Sequence, residues 1–214
     1  MTTPKGFKDA YKQIVEGGWI GISVPAEFGG QGLPATLTEI VNEFLCSANM
    51  AFAMYPGLTQ GAIAALLVHA SPELKAKYLP KMVAGEWTGT MNLTEPQAGS
   101  DLALLRTRAV RDGEHYRLFG QKIFITYGEH DLTENIVHLV LARVEGAPAG
   151  VKGISLFIVP KFLVNADGSL GKRNGIYCGG LEHKMGIHGN ATCVMNYDGG
   201  TLSPAGRERQ APSS

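Results

Sequence analysis

The chain has 214 residues, with 19 basic and 19 acidic side chains and a formal net charge of zero at pH 7. This balance argues against a general attraction to nucleic acid or to acidic membrane surfaces. The cysteines Cys46, Cys178 and Cys193 are odd in number and show no CxxC spacing, which favours reduced thiols. Because the N-terminus also lacks the apolar stretch of a signal peptide, we expect a soluble, cytoplasmic protein of one or two domains.

Residues 1–86 carry apolar side chains at helical spacing and predict a small helical domain. A first helix is expected after Thr3-Pro4, which would supply the cap and the first turn, and it should end at Gly17-Gly18. Thr36 and Glu39 then form a capping-box pair, which predicts the start of a second helix.

The second predicted helix presents one apolar stripe and is expected to end at Tyr55-Pro56-Gly57. Residues 58–69 are apolar on nearly all faces, so a helix there is expected to be buried inside a bundle. Its apolar run is too short to span a bilayer. Ser71-Pro72-Glu73 begins another helix. The residues expected to face inward are Leu37, Ile40, Val41, Phe44, Leu45 and Ala48 in the second helix and Leu74, Tyr78, Leu79, Met82 and Val83 in the last.

After Glu86 the spacing of apolar residues becomes typical of strands. Several strands without intervening helices indicate a β-barrel or sandwich. The predicted fold class is α+β, with a helical domain over residues 1–86, a β-barrel middle domain over 87–198 and a disordered tail over 199–214. The predicted strands cover residues 87–93, 116–119, 122–127, 136–144, 154–159 and 191–197, with turns at Asp167-Gly168 and Asn174-Gly175.

One stretch, Met91–Asp101, joins the two parts of the chain and reads MNLTEPQAGSD. Pro96 fixes one backbone angle, and Gly99 permits a positive φ. Thr94 and Ser100 offer hydroxyls, and the small residues let backbone N–H groups approach an anion closely. Loops of this composition are, however, most often plain surface turns between domains.

Other residues with useful chemistry form weaker patterns. His183 and His188 have no cysteine or carboxylate cluster that would complete a metal shell, so no metal site is predicted. Glu129–Asp131, with Glu134 nearby, could serve acid–base chemistry, but such clusters at strand ends are usually solvated loop residues. The scattered basic residues Lys161, Lys172, Arg173 and Lys184 are interpreted as solubilising.

Three segments resemble those of the acyl-CoA dehydrogenases, a family of flavoproteins. Leu93–Asp101 looks like the flavin-loop signature, and Lys122–Gly128 resembles the second flavin contact of the family. Lys184-Met185-Gly186 is similar to a further recurrent segment. The matches occur in the family's order, with helices before them and strands after, and the resemblance covers about residues 5–198.

The resemblance implies FAD lying against the β-domain, with an apolar or aromatic wall for the flat ring and a few placed donors. Phe124 stands where many members have Trp, so its ring can pack on the flavin without offering an indole N–H. Ser100 would also contact the acyl-CoA substrate. The residues that the resemblance places at the cofactor are Met91, Leu93, Thr94, Gly99, Ser100, Phe124, Ile125 and Thr126.

The reaction implied by the resemblance is α,β-dehydrogenation of an acyl-CoA thioester, with electron-transfer flavoprotein as acceptor and a homo-oligomeric enzyme. The wording of Tyr55–Gly61 and Tyr127–Asp131 is most similar to the methylthiopropionyl-CoA dehydrogenase subgroup. In the family the catalytic carboxylate sits on a C-terminal helical domain, and residues 199–214 do not resemble its start. The resemblance assigns Glu95 to the loop scaffold, so we expect no catalytic residue in this chain, which would be an inactive fragment.

Three alternatives stay open from the sequence. A non-catalytic binding or interaction module of the same fold would lack flavin. An acyl-CoA oxidase would differ by admitting oxygen to the reduced flavin. A flavoprotein of the same fold in the DNA-damage response would need a basic face, which the neutral charge disfavours.

Overall fold

A computed structural model describes residues 1–199, so the tail predicted for 199–214 lies outside the described residues except for Gly199. The helices of the described part are α1 (Phe7–Glu16), α2 (Ala35–His69) and α3 (Pro72–Val83), and short 3-10 turns occur between the longer elements. The strands that follow are β1 (Trp87–Asn92), β2 (Arg108–Asp112), β3 (His115–Thr126), β4 (Asn135–Val144), β5 (Ile154–Pro160), β6 (Phe162–Val164), β7 (Leu170–Arg173), β8 (Ile176–Leu181) and β9 (Thr192–Asp198).

Helix α1 forms where its apolar spacing predicts it, but the predicted cap is wrong. The helix begins after Gly6, which has a left-handed φ of 89°, and no side chain caps it. Thr3 bonds elsewhere because its backbone N–H and its hydroxyl both donate to Asp131 Oδ1, at 3.0 and 2.8 Å. The N-terminal segment is therefore tied to the strand-rich part of the chain.

Helix α2 differs from prediction in its start and in its break. Its N-cap is Pro34, and no side chain caps it, so the predicted capping box of Thr36 and Glu39 is wrong. The helix is interrupted at Asn49 (φ −163°, ψ 97°), and Pro56 of the predicted break lies inside the helix. Asn49 Oδ1 accepts the N–H of Phe52 at 3.1 Å, so this side chain caps the second half of α2.

The inward faces predicted for the helices are only partly correct. In the first half of α2, Leu37, Ile40 and Phe44 are 40%, 46% and 68% exposed, because no element of residues 1–199 covers that face. The predicted all-round burial of residues 58–69 is also wrong, since one face is buried while Val68 is 72% exposed. Helix α3 starts at Ser71-Pro72-Glu73 as predicted, with the Ser71 side chain accepting the N–H of Leu74, but Leu74 is 38% exposed.

The sequence predicts that the apolar run within residues 58–69 is too short to span a bilayer. That run is part of the longer helix α2, which by length and composition alone could cross a membrane. The core helix of a water-soluble fold has the same composition. In this structure 44% of its most apolar window is buried, and the second half of the helix packs against β1.

The strands form a curled seven-stranded sheet in the order β1-β4-β2-β3-β9-β8, with β5 paired to β4. Strands β1 and β4 are parallel, whereas β3, β9 and β8 pair antiparallel. The segments predicted as two strands around Gly120 are one strand, β3, and the charged strand β2 is an element that periodicity misses. The predicted fold class, helices followed by a β-barrel-type middle region, is confirmed.

Helix α2 and strand β1 meet at Gly89. Thr59 Oγ1 accepts the N–H of Gly89 at 3.1 Å. A Cβ at this glycine would lie 2.5 Å from Ala62 Cβ and 2.7 Å from Met82 Cε, so only glycine allows the helices to approach this closely. From this contact β1 leads into the loop that follows it.

Candidate functional site

The loop after β1 is shaped by a buried carboxylate. Glu95 and Ala98 exchange backbone hydrogen bonds of 2.9 and 3.0 Å, and Glu95 is only 4% exposed. Its Oε1 accepts from Thr107 N at 3.0 Å and from Lys122 Nζ at 2.8 Å, and its Oε2 accepts from Arg106 N at 2.7 Å. Glu95 is thus part of the loop scaffold, as the resemblance implies.

Lys122 is the counterion of this carboxylate. Its side chain is fully buried, and Nζ donates to the carbonyl of Leu93 at 2.9 Å as well as to Glu95. Burial alone would raise the pKa of Glu95, but hydrogen bonds from Lys122, Thr107 and the Arg106 N–H outweigh burial and lower it. Burial lowers the pKa of Lys122, although the hydrogen bond to Glu95 and the charge of that carboxylate act to raise it. The two contacts of Nζ, to a carboxylate and a carbonyl, are those of an ammonium.

The structure brings together the two segments that the resemblance assigns to the flavin. The N–H of Ile123 donates to the carbonyl of Thr94 at 2.9 Å, and Thr90 Oγ1 donates to the carbonyl of Thr126 at 2.6 Å. Strand β3 is irregular between Lys122 and Ile125, where its pairing with β9 shifts. The loop and the end of β3 therefore form one continuous surface.

Phe124 lies at this irregularity with φ 57°, a left-handed conformation that is uncommon for a bulky residue. Its side chain is 48% exposed, whereas the neighbouring Ile125 is 2% exposed. The backbone irregularity thus turns an aromatic ring out of the sheet. Because the Ile125 side chain lies in the core, its predicted contact with a cofactor can come only from its backbone.

The other residues predicted at the cofactor lie on the same surface. Thr94 and Thr126 are half-buried, whereas Ser100 is exposed, and their hydroxyls make no hydrogen bond to any residue of 1–199. Gly99 is exposed and has open space around it. Met91 and Leu93 are half-buried and supply apolar area.

This donor set fits the flavin that the resemblance implies. An exposed aromatic ring and two apolar side chains would provide a wall for the isoalloxazine, and hydroxyls without a partner in residues 1–199 would provide donors for polar atoms and phosphate. The backbone N–H groups of Gly99 and Ser100 have no partner among the described residues and can approach an anion without steric hindrance. A cleft of about 470 Å³ lies elsewhere, between α1, the break in α2 and residues 187–189.

The acidic segment around residue 130 is structural, so its interpretation as solvated loop residues is wrong. Glu129 is bound by Lys161 and Arg173, which are therefore not simply solubilising. His130 is 2% exposed, with Nε2 2.9 Å from Thr88 Oγ1, and burial followed by the charge of Lys161 lowers its pKa to about 4.

Asp131 forms a clamp with the N-terminal segment. It accepts hydrogen bonds from Thr3 and lies 2.7 Å from Lys8 Nζ. Burial alone would raise the pKa of Asp131, but the contacts with Lys8 and Thr3 outweigh it and hold the pKa well below its usual range. The carboxylate is committed to this contact and is not free for acid–base chemistry.

The histidines considered as metal ligands lie near each other. The rings of His183 and His188 have centroids 6.0 Å apart. Among residues 1–199, no group of three or more Cys, His, Asp or Glu residues is arranged to hold a metal ion. The expectation of no metal site stays a prediction.

Sequence reasoning missed the partners of two lysines. In the sequence Lys122 is only part of a motif, and its pairing with Glu95, 27 residues away, has no local signal. Lys184, interpreted as solubilising, places Nζ 4.9 Å from the ring centroid of Phe124. The only sequence signal for it was the Lys184-Met185-Gly186 segment.

Comparisons with known proteins extend over nearly the whole described chain. The family model "Acyl-CoA dehydrogenase, N-terminal domain" matches residues 2–86, and "Acyl-CoA dehydrogenase, middle domain" matches residues 90–199. A 3-methylmercaptopropionyl-CoA dehydrogenase of Ruegeria pomeroyi is 52% identical over 209 residues, covering 97% of this chain and 36% of that protein. The chain spans about a third of the length of this relative and of two butyryl-CoA dehydrogenases of Syntrophomonas wolfei that it also matches.

Two solved structures resemble the fold. An acyl-CoA dehydrogenase complexed with FAD from Bacillus anthracis has a TM-score of 0.74 and 30% identity, covering 91% of this chain and 31% of that one. An electron transferring flavoprotein structure of Acidaminococcus fermentans has a TM-score of 0.77 and 30% identity, covering 90% of this chain and 47% of that one.

Proposed function

Because the chain belongs to the acyl-CoA dehydrogenase family, we propose that it forms the flavin- and thioester-binding part of an enzyme that dehydrogenates acyl-CoA at Cα and Cβ. The family predicted from the three segments is confirmed. The observation that carries the proposal is the hydrogen bond from Ile123 to Thr94, which joins the loop to the strand of Phe124. The FAD complex of the Bacillus anthracis relative supports FAD as the cofactor.

When bound, FAD supplies the redox chemistry of the reaction, and the residues of this chain bind and orient it. Phe124 and Thr126 border the ring, and Met91 and Leu93 exclude water from its side. The loop hydroxyls and N–H groups of residues 94–100 hold the pyrophosphate. Ser100, the most exposed of the loop hydroxyls, also contacts the acyl-CoA.

We place the catalytic base outside residues 1–199. Three carboxylates in or beside the two flavin segments are held by cations or hydrogen-bond donors, Glu95 by Lys122, Glu129 by Lys161 and Arg173, and Asp131 by Thr3 and Lys8. The carboxylate of Asp101 is exposed and accepts the N–H of Ala103 at 3.0 Å, which makes it the cap of a short turn. A base must reach the proton that it removes, and the buried Glu95 carboxylate, which accepts from five donor atoms, cannot do so. We therefore expect residues 1–199 to bind cofactor without dehydrogenating a substrate.

The substrate and the electron acceptor are further parts of the proposal. The similarity to a 3-methylmercaptopropionyl-CoA dehydrogenase favours a short thioether acyl-CoA. The likeness to an electron transferring flavoprotein structure is consistent with a flavoprotein acceptor rather than oxygen. We further propose a cytoplasmic location and a homo-oligomeric whole enzyme.

The proposal is tested by titrating the purified chain with FAD and following flavin fluorescence and absorbance. We expect one FAD per chain, with Ser100→Ala weakening binding several-fold and the exposed Ser155→Ala, on β5, leaving it unchanged. Adding acyl-CoA should not bleach the bound flavin, because the base is absent from the described residues. A folded chain that binds no FAD would overturn the proposal and favour a non-catalytic module.

A further inference from the structure

The exposed ring of Phe124 carries a lysine on one face. Lys184 belongs to the loop of residues 182–191 between β8 and β9, and its Nζ lies 4.9 Å from the ring centroid. An ammonium at this distance is attracted by the negative face of the ring. Residues 60 positions apart in sequence thus meet at an aromatic side chain that borders the proposed flavin surface.

Lys184 has no other partner in the described part of the chain. It makes no ion pair or side-chain hydrogen bond with residues 1–199, whereas Lys122 and Lys161 each bind a carboxylate. The side chain is half-buried, so its placement is not that of a freely moving surface lysine. Its positive charge is therefore held, uncompensated, beside Phe124.

Phe124 needs such a contact because its backbone turns the ring out of the sheet. At φ 57° and 48% exposure, the ring is not fixed by core packing. The ammonium on one face leaves the rest of the ring free to contact a planar ligand. A ligand in that place excludes water, which strengthens its electrostatic interaction with the lysine.

We propose that Lys184 is a positioning residue of the flavin site, which fixes the Phe124 ring and sets a positive charge beside the isoalloxazine. This inference rests on the function proposed above. A charge near the ring tunes the electronics of a flavin. Because a flavin gains negative charge on reduction, the ammonium should favour the reduced form and raise the midpoint potential.

The test compares Lys184→Met, which keeps length and removes charge, with Lys184→Arg, which keeps charge. Lys152→Met removes an exposed charge from the turn before β5 and is the matched control. In the FAD-loaded protein, we expect Lys184→Met to lower the midpoint potential and to weaken FAD binding about two- to five-fold. Lys184→Arg should restore both values, and Lys152→Met should leave both unchanged.

A second readout needs no flavin. In the cofactor-free chain, the Lys184 ε-CH2 protons should be shifted upfield in NMR spectra by the ring current of Phe124, and Phe124→Leu should abolish the shift. An unshifted resonance, or a loaded Lys184→Met variant with unchanged potential and affinity, overturns this inference alone. A wild-type chain that binds no FAD overturns the proposed function first, and the inference with it.

Discussion

Among single residues, Glu95 has the densest set of contacts near the site, and they involve residues distant in sequence. Its position in the motif was predicted, and so was its scaffold role, through the family resemblance. Lys122 could not be paired with it from sequence, because the contact depends on how β3 lies against the loop. The same holds for Lys184 and Phe124, which meet only through the β8–β9 connection.

Replacing Glu95 tests how much the buried ion pair of Glu95 and Lys122 contributes to stability. Glu95→Gln keeps the shape but leaves the fully buried Lys122 without a counterion, so the free energy of unfolding should fall by about 3 kcal/mol. The exposed pair of Arg108 and Glu145 offers a control, since Glu145→Gln should change the free energy of unfolding by less than about 0.5 kcal/mol. Urea denaturation measures both, and equal small losses would contradict the assigned role.

Two buried histidines predict an acid limit to stability. Burial, reinforced by nearby positive charge, lowers the pKa of His130 from 6.5 to about 4 and that of His138 from 6.5 to about 3. The unfolded chain therefore binds more protons than the folded one between these values. Stability is therefore highest above pH 6.5, and it falls as the pH drops towards 4 for His130 and towards 3 for His138. The loss is up to about 1.4 kcal/mol per pH unit for each group.

This dependence is measured by urea denaturation at pH 7 and pH 5. His130→Gln should reduce the loss between the two pH values, whereas the exposed His69→Gln should leave it unchanged. The carboxylate Asp131 titrates below this window, so it does not obscure the result. A chain equally stable at both pH values would show that the histidines are protonated in the fold.

At the scale of elements, periodicity located α1, α3 and five of the nine strands of residues 1–199, but not β2, β6, β7 and β8. It also did not show where helices begin or which faces meet a partner. Strand β2 was missed because its sequence, RAVRD, is short and mostly charged. The apolar stripe of α2 was correctly recognised as a stripe, yet much of it is exposed in residues 1–199. Spacing reveals a face, whereas its partner depends on the tertiary arrangement.

The break in α2 yields a direct comparison of two caps. Asn49→Ala removes the side-chain acceptor of the Phe52 N–H and should cost about 1 kcal/mol of stability. Thr36→Ala, at the predicted cap that does not form, should cost nothing, since alanine favours the helix interior. Thermal or chemical denaturation measures the stability of both variants. A larger loss for Thr36→Ala than for Asn49→Ala would show that the predicted capping box forms after all.

For the whole molecule, the order of a helical part and a strand-rich part was predictable, but their joint was not. The joint consists of Gly89 under α2, the clamp of Thr3 and Lys8 on Asp131, and the Tyr127 hydroxyl donating to the carbonyl of Ala51. None of these contacts has a local sequence signal, because each joins residues from different parts of the chain. The placement of the site depends on this joint.

Gly89 tests how closely the two parts must approach. Gly89→Ala would force its Cβ within 2.5 Å of Ala62 Cβ and should cost about 2 kcal/mol, and FAD affinity should fall with it because β1 leads into the loop. The exposed helical Gly61 has open space, so Gly61→Ala should be neutral or stabilising by up to about 1 kcal/mol. Similar effects of the two alanines would argue against a tight joint.

The ammonium of Lys122 beneath the Leu93 carbonyl has a consequence for how the cofactor arrives. Since internal contacts already set the course of the loop, its ordering entropy is lost during folding and not during ligand capture. The loop is thus preorganised in the cofactor-free protein, and FAD should bind without a rearrangement of its backbone. Stopped-flow mixing with FAD should then show a single association phase whose rate rises linearly with FAD concentration.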